Sequence, residues 1–364
     1  MSVHCDVGFV PHLNHFNLFF YARCGGGFIF VDNLWFLCKI APAMAEKIIF
    51  VFPGQGAQYV GMGADVFHDF AAARYIFEQV SDIAKRDMAK ICFDGPESEL
   101  NRPENTSLGT FAHSVAIARV IEAEYGVPLH AIAYAMAGHS MGQYSALHCV
   151  GSMRMDDAVN MLSARSAYMQ DSAGVGGMAA IVGLGRDVVE QCLVAAAGHG
   201  YAQISNHNAR DQFIVSGQTG ALDAVIGAAQ KQGARIAKRL NVAVPAHCAL
   251  MAGAEKLLRA RMETIKFDAP KTNWYSNQTA NFMSNPIDVR DALCNQMTHG
   301  VRWLDIMETF PTYNITRAYE LGPGRTLTGL IKRANVGCTS RQTDTSANVN
   351  VMLREIGDWL VHSR

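Results

Sequence analysis

Residues 135–147 read AMAGHSMGQYSAL. A small apolar lead-in runs into Gly138-His139-Ser140-Met141-Gly142, and helix-forming residues follow. A chain that turns abruptly from an extended segment into a helix is crowded at the bend, and glycine is the residue that tolerates the crowding. Gly-x-Ser-x-Gly placed between a strand and a helix presents the serine hydroxyl at the helix amino terminus. A structural turn carries the same letters, so the motif alone leaves both readings open. Either way it predicts a strand, a tight bend and a helix, and that unit belongs to an α/β fold.

Working outward, KIIFVFPGQGAQ at residues 47–58 is a continuous apolar run that ends in a glycine-rich loop. Such a run suits a strand buried on both faces. Phe111, Val115, Ala118, Ile121 and Tyr125 then recur at helical spacing, with Gly126 as the stop. This alternation predicts a large subdomain with a mainly parallel sheet, of α/β-hydrolase-like form, with its site beyond the strands' carboxyl ends. The rhythm changes within residues 177–244. MAAIVGL, AQISNHN, QFIVSG and ARIAKRLNV read as strands, and DVVEQCLVAAAG and ALDAVIGAAQKQG as helices. The order βαββαβ is ferredoxin-like. The expected division is therefore a large subdomain over residues 44–175 and 245–364, with a small ferredoxin-like one inserted at 176–244. AYELGPGRTLTGLIKR near the carboxyl end supplies a further strand, turn and helix.

The first 43 residues stand apart as an aromatic-rich extension outside this fold. Arg23 and Asp32 interrupt its apolar run, which argues against a membrane span, and it lacks the parts of a signal peptide. The 364 residues are 49% apolar and 17% charged, enough for a sizeable core. With 31 Lys+Arg against 32 Asp+Glu, the balance offers no electrostatic reason for a nucleic-acid partner. The nine cysteines form no C-x-x-C pair and their number is odd, as expected of buried thiols in a reducing cytoplasm and not of a zinc site or disulfide framework.

A serine nucleophile needs a base. His4, His12, His15 and His362 lie in the extension or the tail, and His68, His113 and His130 fall on helices or their ends, where surface positions are usual. His247 differs, because NVAVPAHCALM places it just after an apolar run read as a strand, at the return from the inserted unit. A packed histidine is the plainer reading of that position. Arg165 says more. Ala158, Met161, Leu162, Arg165 and Met169 make one apolar helix stripe with a guanidinium in it and no acid. Losing one member of a buried pair costs ~3–5 kcal/mol, so such a cation takes a partner from elsewhere in the fold, takes one from a ligand, or snorkels to solvent. A planar fork suits a carboxylate or phosphate.

Taken together, FVFPGQGAQYVGMG, GHSMGQYSAL, Arg165 at its spacing after the serine, VPAHCALM and LGPGRTLTGL resemble the malonyl-coenzyme A:acyl-carrier-protein transacylases of fatty-acid and polyketide synthesis. The resemblance runs from Met44 to the carboxyl end. It implies Ser140 as nucleophile and His247 as general base and then general acid, oriented by a backbone carbonyl near Gln296. It implies an oxyanion site at the backbone N–H groups of Gln55 and Met141, Arg165 on the substrate carboxylate, and Asn208 and His139 in support. Malonyl-coenzyme A and an acyl carrier protein are the implied partners, with no metal, no redox cofactor, no nucleic acid and no membrane, and a monomer is the expected state.

Three positions depart from the family pattern. Gln143 stands where glutamate is usual, TSLGTF at residues 106–111 replaces Thr-Gln-Pro-Ala-Leu, and Ala246 precedes the histidine. Val244-Pro245-Ala246-His247 lies nearer the malonyl-type form, but a single methyl is worth only ~1–3 kcal/mol in a pocket. The departures leave a second reading, an acyl-carrier-protein hydrolase that clears stalled acyl groups, which would have little use for Arg165. Carrier docking is expected through basic residues, with Lys231, Arg235, Lys238 and Arg239, or Arg325, Lys332 and Arg333, as candidates; a solvated charged face is the plainer reading of each.

Overall fold

The computed structural model describes three strands of the amino-terminal stretch, β1 (Asp6–Phe9), β2 (Phe20–Cys24) and β3 (Gly27–Val31), and residues 46–171 and 173–362. The three strands form an antiparallel meander in a unit of their own. Residues 47–362 form the second unit, which carries every site residue named above. No described helix is long and apolar enough to cross a membrane.

The second unit is built on a six-stranded sheet whose centre is β4 (Lys47–Phe52) and β5 (Ala135–Gly138). Residues 48–52 are fully buried, and each large apolar side chain so enclosed contributes roughly 1.5–3 kcal/mol. Around this pair lie β10 (Asn273–Tyr275), β11 (Phe282–Met283), β12 (Ile315–Glu320) and β13 (Thr339–Gln342), in the order β11-β10-β5-β4-β12-β13. All neighbours are parallel except β10 and β11. Phe52 pairs with Gly138, so the two central strands end level and their following loops lie side by side.

The Pro103–Tyr125 helix ends where expected, with Gly126 in the left-handed region at φ 67°. From Asn105 to Ala118 it is buried on all faces, and this corrects the surface position expected for His113. That imidazole is fully buried, and neither ring nitrogen has a hydrogen-bond partner among the described residues. The helix packs against both the Ala71–Ala84 and the Met155–Gln170 helices, so this stretch has no solvent-facing stripe.

A separate antiparallel sheet holds β6 (Gly177–Val182), β7 (Ala202–Ala209), β8 (Gln212–Gly217) and β9 (Ile236–Arg239), in the order β7-β8-β6-β9. With the Arg186–Ala196 and Thr219–Lys231 helices between strands, that is the ferredoxin-like order read from the sequence. Val189, Leu222 and Val225 pack with Ile181, Phe213 and Val215 in its own core. The sheet is tied to the larger subdomain through β7: His207 donates its N–H to the carbonyl of Val301, just before the Trp303–Glu308 helix, at 2.9 Å, and Val301 donates to the Ser205 carbonyl at 2.8 Å.

Candidate active site

The bend after β5 is built as the motif demands. Ser140 adopts φ 53°, an uncommon conformation for a residue with a side chain. A Cβ on Gly138 would fall 2.0 Å from the Gly142 carbonyl carbon, and one on Gly142 would fall 2.2 Å from the Phe52 carbonyl oxygen. Both positions therefore require glycine. The Gly142–Cys149 helix follows at once.

The strained residue is held by Asn277, a fully buried residue just past β10. Its Oδ1 accepts the Ser140 N–H at 2.8 Å and its Nδ2 donates to the Gly138 carbonyl at 2.7 Å. Its own N–H donates to Gln143 Oε1 at 3.2 Å. Gln143 thus keeps an acceptor where the family pattern has a carboxylate. Sequence reading missed Asn277, whose only signal is one amide in a loop far along the chain.

His247 stands on an irregular loop and not after a strand: β9 stops at Arg239, Leu240 makes one last bond to the Met178 carbonyl of β6 at 2.9 Å, and residues 241–246 belong to no strand. Pro245 lacks the N–H a ladder needs. The loop is held by the Ser216 hydroxyl on the Ala246 carbonyl at 2.6 Å and by Gln203 Nε2 on the His247 carbonyl at 2.9 Å. His247 Nε2 lies 2.7 Å from Ser140 Oγ, and Nδ1 lies 2.7 Å from the Gln296 carbonyl oxygen. A carbonyl only accepts, so Nδ1 carries the proton and Nε2 presents its lone pair to the serine hydroxyl. Burial first, then the Arg165 charge and His139, push the imidazole down to about 3, against the Gln296 carbonyl, which raises it.

Arg165 does not snorkel. It is 5% exposed, and its stripe partners Ala158, Met161, Leu162 and Met169 are buried with it. Its guanidinium has no hydrogen-bond or ion-pair partner among the described residues, and burial lowers its pKa. A cleft of about 300 Å³ brings together Gln55, His139, Ser140, Arg165, Asn208 and His247. His139 Nε2 donates to Asn208 Oδ1 at 2.9 Å, and its ring meets the Trp303 edge. Met141 is buried behind the bend, and Gln296 lies behind His247. The N–H groups of Gln55 and Met141 have no acceptor among the described residues.

A profile of the acyl transferase domain matches residues 49–304. The malonyl CoA-acyl carrier protein transacylase of Escherichia coli strain K12 is 36% identical over 291 residues, 79% of this chain and 92% of that protein. The chain belongs to the malonyl CoA-acyl carrier protein transacylase family.

Solved members of the transacylase family superpose closely on it. The transacylase of Coxiella burnetii gives a TM-score of 0.82 at 33% identity, covering 86% of this chain and 98% of that one. A malonyl-transacylase solved in complex with its type II polyketide acyl-carrier protein gives 0.81 at 32%, covering 85% and 100%. Of the basic residues considered for docking in this transacylase-family chain, Arg239 is paired with Asp223 and Arg333 with Asp211. Arg325 is exposed beside Thr326, which lines the cleft.

Proposed function

We propose that Ser140 carries a malonyl group from malonyl-coenzyme A to the phosphopantetheine thiol of an acyl carrier protein. The observation that carries this reading is a buried guanidinium without a protein partner in the same cleft as a serine–imidazole pair. Such a cation favours an acyl group with a free carboxylate and disfavours a neutral one.

As Ser140 Oγ attacks the thioester carbonyl carbon, its proton passes to His247 Nε2. The Nδ1 bond to the Gln296 carbonyl holds the ring in place and stabilises the cation that forms. The Gln55 and Met141 N–H groups receive the oxyanion, each donor contributing ~2.7–4 kcal/mol. Collapse breaks the C–S bond, and His247 returns the proton to the leaving thiolate. In the second half, His247 takes the proton of the carrier thiol, sulfur attacks the malonyl-serine carbonyl, and Ser140 Oγ leaves and recovers the proton. Arg165 holds the carboxylate throughout, while Asn208 fixes His139 at the cleft wall. Every proton and acyl transfer is covered by these side chains and the two thioesters.

The free thiols Cys92, Cys149, Cys192, Cys248, Cys294 and Cys338 support a place in the reducing cytoplasm. The reading assigns the chemistry to residues 44–364 and leaves 1–43 outside it.

Intact-mass analysis after incubation with malonyl-coenzyme A tests the proposal. The full chain gains one malonyl group and passes it to a carrier protein, whereas Ser140→Ala gains none. Label on the alanine variant would place the nucleophile elsewhere, and loss of malonyl to water with none on the carrier would make the protein a hydrolase.

A further inference from the structure

A second cavity, of about 270 Å³, adjoins the cleft. Gln55, Arg165, Met169, Val242 and Val244 line both. In the proposed reaction Gln55 meets the carbonyl end of the malonyl group and Arg165 its carboxylate end. A space walled by both residues flanks the carbon that joins those ends. We infer that this cavity takes a substituent on that carbon, so that the protein also transfers malonyl thioesters bearing a short C2 side chain. The inference rests on the malonyl-transfer reading above.

The walls fit such a group in two stages. Met169, Val242 and Val244 give an apolar neck, which suits one or two carbons. Beyond it lie Asn101, Ser107, Ser166, Gln170 and Asn241, hydroxyls and amides that suit a polar tip. Small residues on two helices form one wall of the space. Ser107 on the Pro103–Tyr125 helix and Ser166 on the Met155–Gln170 helix place their hydroxyls 3.1 Å apart, and Ser107 also donates to the Pro103 carbonyl at 2.8 Å. A long side chain at residue 107 would occupy the chamber. The substituent alters neither bond making nor proton transfer: the same serine ester forms and the same thiol receives it.

The test compares kcat/KM for malonyl-, methylmalonyl- and ethylmalonyl-coenzyme A, using the full chain and a phosphopantetheinylated carrier protein. One carbon misplaced in a closed pocket costs about 10–200-fold, so an open chamber is expected to keep ethylmalonyl within about tenfold of malonyl. Ser107→Gln fills the chamber from the helix side and is expected to lower the ethylmalonyl-to-malonyl ratio by about tenfold or more. Ala243→Leu, at an exposed lining position, fills it from the loop and is expected to shift the ratio the same way. Normal malonyl transfer with ethylmalonyl slower by the closed-pocket margin, more than about tenfold, would overturn the inference. So would both variants slowing the two donors in parallel. Absence of malonyl transfer by the unaltered chain would instead overturn the parent reading.

Discussion

Ser140 spends two local devices on its exposure: a left-handed backbone, and the surrender of its own N–H to Asn277. Because that N–H is engaged, it is unavailable to an oxyanion, in keeping with the role proposed for the Met141 and Gln55 N–H groups. Asn277→Ala would strand the buried Ser140 N–H and Gly138 carbonyl, each costing about 1–3 kcal/mol. Steady-state kinetics should show kcat down roughly 10–100-fold with KM little changed, and Asn277→Asp, which keeps an acceptor for Ser140, should recover part of it. An alanine variant with undiminished kcat would remove Asn277 from the account. His247 gives a pH prediction of definite sign. It is held at about 3 in the native state, against an ordinary value near 6.5, and buried His113 is also held at about 3. Between those values the unfolded chain binds more protons, so stability is full above about pH 6.5 and declines as pH falls toward 3. Urea melts at pH 7 and pH 4.5 should show the loss, and equal midpoints and slopes would contradict it. Arg165 was legible because a charge in an apolar stripe demands a partner. Asn277 was not, since a lone amide 137 residues after its partner leaves no periodic mark.

Among the elements, the legible ones were those whose packing imposes a pattern. β4 is buried on both faces and reads as unbroken apolar sequence, and the βαββαβ order survived because its helices are amphipathic against one sheet. β11, two residues long, and the partly exposed edge strand β13 carry no such pattern and went unread. The run before His247 failed differently: its apolar residues serve a cleft wall, not a strand. One element depends on a single carboxylate. Glu320, fully buried at the end of β12, accepts the Leu327 and Thr328 N–H groups at 2.9 and 2.7 Å and so caps the Thr326–Ala334 helix, whose first turn lines the cleft. A carboxylate at a helix amino terminus also meets the positive end of its dipole. Glu320→Ala should cost about 2–4 kcal/mol, read as a lower melting temperature. A melt identical to that of the unaltered chain would show the helix capped by other means.

At the scale of the molecule, the site is an assembly across two sheets. The six-stranded sheet presents Ser140 at the carboxyl ends of its central strands, where α/β folds gather their ligands. The four-stranded sheet contributes Asn208 from β7, and the loop returning from it brings His247. The pairing of β7 with Val301 ties the four-stranded sheet to the larger subdomain, and across that junction Ser140 Oγ and His247 Nε2 meet at 2.7 Å. Since the three strands β1–β3 belong to a unit apart from the one that holds the cleft, a variant beginning at Met44 should keep its malonyl-transfer rate within about twofold. Loss of transfer would make the extension part of the catalytic body. The central claim is that one cleft joins a nucleophile, its base and a cation reserved for the substrate. Intact-mass analysis of acyl-enzyme from Arg165→Ala, offered malonyl- and acetyl-coenzyme A separately, tests it most directly. The account predicts that malonyl loading falls by about 100-fold or more while acetyl loading rises. Malonyl loading equal to that of the unaltered chain would contradict it.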